Sequence, residues 1–516
     1  MRGAVAAGHP LTAEAGAQVL SEGGSAVDAC IAAAFVSWVA ESTLTGPGAG
    51  GFMLVHRGRD RSTRLLDHFV TVPGLGLPRG QVRAMDEVTV EFSPESRQLY
   101  RIGPASCAVP GSAAGLGEAH RRFGSLPWRV LLEPAIEHAR KGVELNEPQA
   151  FLHEILDVLL RYTPEGQKLY GSNGNRLVAG DRLVMADLAR TLERLAERGA
   201  ADLYTGELAR AVSEHVRAGG GAITLRDLAE YRVIQRRPVR VQFLGHEFES
   251  NPPPATGGIL IGLGLRLLGR LGVAGGPGTA QAMAQLVEIM REQEAARGGP
   301  FARELYRGGL ARRLYDEGEL AAAVGRIRER LPELQQGTTH IAVVDGHGNA
   351  ASLTASTGSG SGVIVPGTGI QLNNMLGEFD LAVTGGITRP GLRFTSAMAP
   401  SLILREGRPR LVVGSAGSLR LRGAIMQIVV NVVGHGLGVE EAIDRPRVHF
   451  ETPVVQAEGG NDPAELDRLE SLGYDVGRWR GRNLFFGGAA GVELLEDGTL
   501  AAAGDPRRGG DGVVVA

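Results

Sequence analysis

Between Leu11 and Ala40 the apolar residues recur at helical spacing: Leu11, Ala15 and Val19, then Val27, Ile31, Phe35 and Val39. Gly23-Gly24 interrupts the series, so the spacing predicts two helices rather than one. TGPGAGG follows as a glycine loop and runs into a strand from Phe52 to His56. Around residues 113 to 240 Leu, Ala, Arg and Glu dominate at mostly helical spacing. NPPPATGG, from Asn251, reads as a rigid loop that gives way to an apolar helix near Ile259. A further helical stretch ends near Gln336. After Gly337 the character changes: short runs rich in Val, Ile and Thr alternate with glycine turns, and a helix returns near 421 to 434. A mostly helical first two-thirds followed by a strand-richer last third predicts an α/β layered architecture.

The change of character begins at GTTHIAVVDGHGNAASLTAS, from Gly337. IAVVD and AASLTAS are strand-like, and GHGN between them is a turn signal. A hairpin centred on His347 pairs Val344 with Ala350 and, at its open end, Thr338 with Ser356. A bulge would shift this by one position. Two readings of the paired hydroxyls stay open. Threonine and serine hydrogen-bond across strands as ordinary structure. Threonine is also a nucleophile when a base is positioned beside it. If Thr338 became a chain terminus, its own α-amino group, with a reference pKa of about 7.7–8.0, would serve as that base. Gly337 would ease the backbone geometry needed for the hydroxyl to attack its carbonyl. His340 alternates with Thr338 on one strand face, as a hydrogen-bonding neighbour of the site or as a structural histidine.

Composition narrows the partners. The 516 residues carry a net charge of −3, with 43% hydrophobic and 22% charged residues, which is ordinary globular composition. There is no basic excess for nucleic acid or anionic membrane, and Trp38, Trp128 and Trp479 are too scattered for a base-stacking surface. Cys30 and Cys107 lack a CxxC partner, and the dispersed histidines form no HExxH, so neither a metal nor a cofactor is expected. GSGSG at 358–362 follows a strand into a strand, without the helix of a dinucleotide site. No signal peptide is read in MRGAVAAGHPLTAEAG, and the longest apolar run, Ala29 to Ala40, falls short of the roughly 20 residues that span a bilayer. A cytoplasmic location is the expectation.

GHPLTAEAG with GGSAVDACIAAA, TGPGAGGFMLVH, VPGSAAGLGEAHRRFGSLPW, NPPPATGG, TTHIAVVDGHGNAASLT, VPGTGIQLNN, RPRVHFE and GDPRRGG occur in this order nearly end to end. With them the chain resembles the γ-glutamyltransferase (γ-glutamyltranspeptidase) family of N-terminal-nucleophile hydrolases. The resemblance implies a four-layer αββα sandwich, made as one precursor and self-cleaved between Gly337 and Thr338. Residues 1–337 would form a large, mostly helical subunit and residues 338–516 a small one carrying the nucleophile. The two would form a heterodimer around one shared core, with further oligomerisation left open.

By the same resemblance Thr338 is the nucleophile, Ser356 supports it, and the backbone N–H groups of Gly417 and Ser418 in GSAGS form the oxyanion loop. Glu378, at the family's aspartate position, would hold an amino group of the substrate, with Asn374, Thr395 and Ser396 also binding the head group. The substrate would be a small, amino-acid-like acyl donor, and water or an amine the acceptor. The sequence departs from the family at the clamp for the substrate carboxylate: LLDHFVTVPG has Phe69 where an arginine is usual, and phenylalanine cannot form that bidentate pair. Arg64 lies nearby in sequence. Gly358 replaces an asparagine and Met375 a glutamine. Three functions follow: a γ-glutamyl-type threonine hydrolase or acyltransferase; the same nucleophile on another acyl group or bond, as in cephalosporin acylases or C–C hydrolases; or an unprocessed binding protein.

Overall fold

The computed structural model describes residues 2–78, 81–93, 96–329, 339–378, 389–417, 420–451 and 453–516. In chain order the strands of its two main sheets are β1 (Gly3–Ala7), β2 (Gly50–Arg57), β3 (Ser62–His68), β4 (Ile234–Arg236), β5 (Val239–Phe243), β6 (His246–Ser250), β7 (Thr339–Asp345), β8 (Ala350–Ser356), β9 (Ser401–Arg405), β10 (Arg408–Ala416), β11 (Gly488–Leu494), β12 (Leu500–Gly504) and β13 (Asp511–Val515). One sheet has the order β4-β3-β2-β8-β7-β1-β13 and the other β5-β6-β9-β10-β11-β12. All neighbours in both are antiparallel.

Alternation along the strands builds the layers. In β7, Ile341 and Val343 join one apolar cluster with the helices, whereas Ala342 and Val344 join another between the sheets. In β10, Val412 faces the inter-sheet cluster, whereas Leu411 and Val413 face a third cluster on the far side. Three apolar interfaces therefore separate four layers, helix–sheet–sheet–helix, as the resemblance implies. Helices α1 (Pro10–Ser21) and α2 (Ala26–Ala40) cover the first sheet. The pair of helices predicted around Gly23-Gly24 is thus present. All of α2 is buried, with Ser25 and Asp28 closing a capping box at its start. Helices α3 (Gly257–Leu271), α4 (Ala280–Ala295) and α5 (Arg420–Val429) cover the second sheet. Among the described residues no helix is long and apolar enough to cross a membrane.

The first two-thirds of the chain is less purely helical than its spacing implies. Strands β1 to β6 all precede residue 337 and supply part of both sheets. β1 is inserted between β7 and β13, so residues on either side of Gly337 share one hydrogen-bonded sheet.

Two quoted motifs meet in the interior. Arg447 of RPRVHFE donates to Asp505 of GDPRRGG at 2.7 Å, and Arg507 bonds Asp505 at 3.0 Å and Glu458 at 2.6 Å. Burial alone would raise the Asp505 carboxyl, but Arg447 and Arg507 together hold it down at about 2. This pairing ties the strand Val448–Glu451, which follows Arg447, to the turn that begins at Asp505, far apart in sequence and adjacent in the fold.

Candidate active site

The β7–β8 hairpin has the predicted register: Val344 faces Ala350, His340 faces Thr354 and Thr339 faces Ala355, with no bulge. Asp345 closes the GHGN turn by accepting from the backbone of His347 and Asn349, and its other oxygen accepts from Ala26 at the start of α2. Gly337 and Thr338 lie outside the described residues, as does Ser418. On its other side β8 pairs with β2, setting Ser356 opposite Gly50.

His340 is buried between the sheets. Its Nδ1 lies 2.8 Å from Thr354 Oγ1 and its Nε2 3.4 Å from Ser352 Oγ. Burial lowers its pKa to about 3, so the ring is neutral near neutral pH and serves as structure. A β-carbon on Gly414 would overlap this ring, so β10 approaches β7 closely here. Ser352 Oγ donates to the Ser401 carbonyl at 3.4 Å, and Ser401 pairs with Val413. Going from Ser352 to Thr354 on β8 therefore matches going from Val413 to Gly414 on β10. Continued in that direction, Ser356 and Gly417 leave the two sheets at the same edge. Gly417, at φ 130°, accepts from Arg420 N at 2.9 Å, and α5 begins there. Gly417 thus lies between the end of β10 and the start of α5.

At this edge two loops are stitched together. Ser356 Oγ accepts from Gly358 N at 2.8 Å. Ser359 N donates to Asn374 Oδ1 at 2.9 Å and to Glu378 Oε1 at 3.0 Å, and Ser359 Oγ donates to the same Glu378 oxygen at 3.1 Å. Asn374 N donates to the Thr357 carbonyl at 3.1 Å. The Ser359 amide orients the Asn374 side chain, leaving its buried Nδ2 without a hydrogen-bond partner among the described residues. Its neighbour Asn373 is spent on the fold, bonding Gly48 and Ala108. Met375 is buried in the inter-sheet cluster. Ser359 lies in the GSGSG run at 358–362, whose spacing alone does not single it out as a site residue.

Thr395 and Ser396 approach from another direction. Val70 accepts from Phe394 N at 3.0 Å, and Val70 in turn packs against Gly50, the partner of Ser356. The NPPPATGG loop seats this segment: Thr256 N donates to the Ser396 carbonyl at 2.7 Å and Asn251 Nδ2 to the Met398 carbonyl at 2.9 Å. Ser396 Oγ accepts from Met398 N at 3.1 Å, and Thr395 is buried. Ser356, Asn374 and Glu378 thus belong to one hydrogen-bonded loop cluster, and the Thr395–Ser396 segment is tied to it through Val70 and Gly50.

Phe69 is fully buried and stacks on Phe52, with ring centroids 5.4 Å apart. Its carbonyl accepts from Arg393 and from Tyr231 Oη. Arg393 is itself buried and pairs with Asp67, Tyr231 Oη and the Arg232 carbonyl. It is a cation beside Phe69, but it is committed to protein groups. Arg64 lies on the opposite face of β3 from Leu65, which packs between the sheets, and donates to the Thr63 carbonyl.

A family model for gamma-glutamyltranspeptidase matches residues 12–515. The chain belongs to the γ-glutamyltranspeptidase family. It is 32% identical to the acylase ACY 1 proenzyme of Pseudomonas sp. (strain SE83), covering 100% of this chain and 94% of that protein. It is 30% identical to the glutathione hydrolase proenzyme of Escherichia coli (strain K12), covering 98% and 90%. In fold it is similar to a cephalosporin acylase from Bacillus halodurans, with a TM-score of 0.84, 24% identity and coverage of 99% and 95%. As a γ-glutamyltranspeptidase-family member the chain is an enzyme, a hydrolase or acyltransferase with the N-terminal-nucleophile αββα fold.

Proposed function

We propose that this enzyme cleaves itself before Thr338 and then uses Thr338 to transfer an acyl group from an amide to water or an amine. The observation that carries the reading is the hydrogen-bonded loop cluster that begins at Ser356, at the end of β8, and holds Asn374 and Glu378. In processing, the Thr338 hydroxyl attacks the Gly337 carbonyl, the peptide bond shifts to an ester, and water hydrolyses it. The new α-amino group then accepts the hydroxyl proton as Thr338 attacks the substrate amide, and returns a proton to the leaving amine. Ser356 supports the nucleophile. The N–H groups of Gly417 and Ser418 receive the oxyanion, each such donor being worth about 3 kcal/mol of barrier in related chemistry.

The fragments 1–337 and 338–516 would remain a heterodimer, because β1 stays hydrogen-bonded between β7 and β13. Cys30 and Cys107 are buried and unpaired, which suits a reducing cytoplasm. Glu378, Asn374, Thr395 and Ser396 would hold an amino-acid-like head group of γ-glutamyl type. A second reading, an acyl group lacking an α-carboxylate, draws on Phe69 and Arg393: one is core and the other is already paired. The names of the acylase relatives point the same way. Turnover of γ-glutamyl-p-nitroanilide against 4-aminobutanoyl-p-nitroanilide, which keeps the amine and lacks the carboxylate, separates the two readings. Activity on neither, with no acyl adduct on the Thr338 fragment, would remove both.

A further inference from the structure

We infer that Ser359 is a positioning residue that holds the Glu378 carboxylate for an ammonium group on the acyl donor; this rests on the Thr338 reading above. Glutamate carries one more methylene than aspartate, so its carboxylate needs a fixed seat if it is to meet a substrate charge. Ser359 supplies that seat with two donors to one oxygen, its N–H at 3.0 Å and its hydroxyl at 3.1 Å.

Gly358 supplies the room. At φ 72° it has the backbone conformation that glycine tolerates, and a β-carbon there would lie 2.9 Å from Glu378 Oε1 and overlap Asn374 Oδ1. The space a side chain at 358 would need is occupied by Glu378 and Asn374. Gly358, Ser359 and Glu378 therefore form a set: no side chain at the first position, two donors at the second, and the longer acid at the third. Asn374 completes the arrangement. Its Oδ1 shares the Ser359 N–H, which leaves its buried Nδ2 to donate to an oxygen of the ligand. An amino-acid-like donor offers both an ammonium and an oxygen acceptor.

The test compares kcat/KM for γ-glutamyl-p-nitroanilide, which has the ammonium, with glutaryl-p-nitroanilide, which lacks it, in the processed enzyme. Ser359→Ala is expected to lower the preference for the ammonium-bearing donor about tenfold, chiefly through the KM of that donor. Ser359→Thr should restore the preference. Adding Ser359→Ala to Glu378→Gln should lower it no further, because both act through one carboxylate. Gly358→Ala, an independent route to displacing that carboxylate, should reproduce the loss. A preference within about twofold of wild type in Ser359→Ala, or independent multiplying effects of Ser359→Ala and Glu378→Gln, would overturn the inference. Wild-type turnover of the glutaryl donor alone would also overturn it while leaving Thr338 as the nucleophile. Failure to cleave after Gly337 would remove the Thr338 reading itself.

Discussion

His340 of β7 and Gly414 of β10 face each other across the two sheets with no space for a methyl group between them. The imidazole cannot step aside, because Thr354 and Ser352 hold both of its nitrogens. Gly414→Ala should therefore push the sheets apart locally, at a cost of about 1–3 kcal/mol. Gly417 lies on the next turn of the same segment, so self-cleavage should slow as well. Thermal melts and a time course of fragment formation measure the two effects; unchanged melting and processing would mean that the contact is soft.

Phe69→Arg looks, from sequence alone, like the way to restore a carboxylate clamp. In the fold the new guanidinium would start inside the inter-sheet core, stacked where Phe69 meets Phe52 and close to Arg393. A buried cation without a partner costs several kcal/mol. The variant should lose stability and gain no activity on γ-glutamyl-p-nitroanilide. A stable variant with improved kcat/KM for that donor would show that position 69 does open onto the substrate.

Acid should unfold the protein through its buried histidines. Burial lowers His9, His56 and His153 to about 4 and His68 and His340 to about 3, from an ordinary value of 6.5. Below pH 6.5 the unfolded chain binds protons that the folded chain refuses until about pH 4 or lower. Their contribution to stability is thus complete above pH 6.5 and lost as pH falls toward 4. Each contributes up to about 1.4 kcal/mol per pH unit in that window. Urea midpoints at pH 7.5 and pH 5 should differ clearly, with the lower midpoint in acid; equal midpoints would contradict the burial of these rings.

Local signals in the sequence carried far where short-range physics decides the outcome. The GHGN turn fixed the register of β7 against β8, and Gly23-Gly24 separated α1 from α2. β1 was missed because GAVAA is short and apolar on both faces, and its place between β7 and β13 is set by distant partners. Phe69 was legible as a substitution but not as core, since its burial depends on Phe52 and Tyr231. Ser359 was hidden for a related reason. Its role exists only once the loop at Asn374 to Glu378 folds back on it, a contact that no spacing rule encodes.

The most direct measurement is the intact mass of the purified protein beside its Thr338→Ala variant. Cleavage by Thr338 predicts two fragments, residues 1–337 and 338–516, in wild type and one unbroken chain in the variant. A wild-type chain that stays whole while turning over amides, or a variant that still splits after Gly337, would contradict Thr338 as the nucleophile of this enzyme.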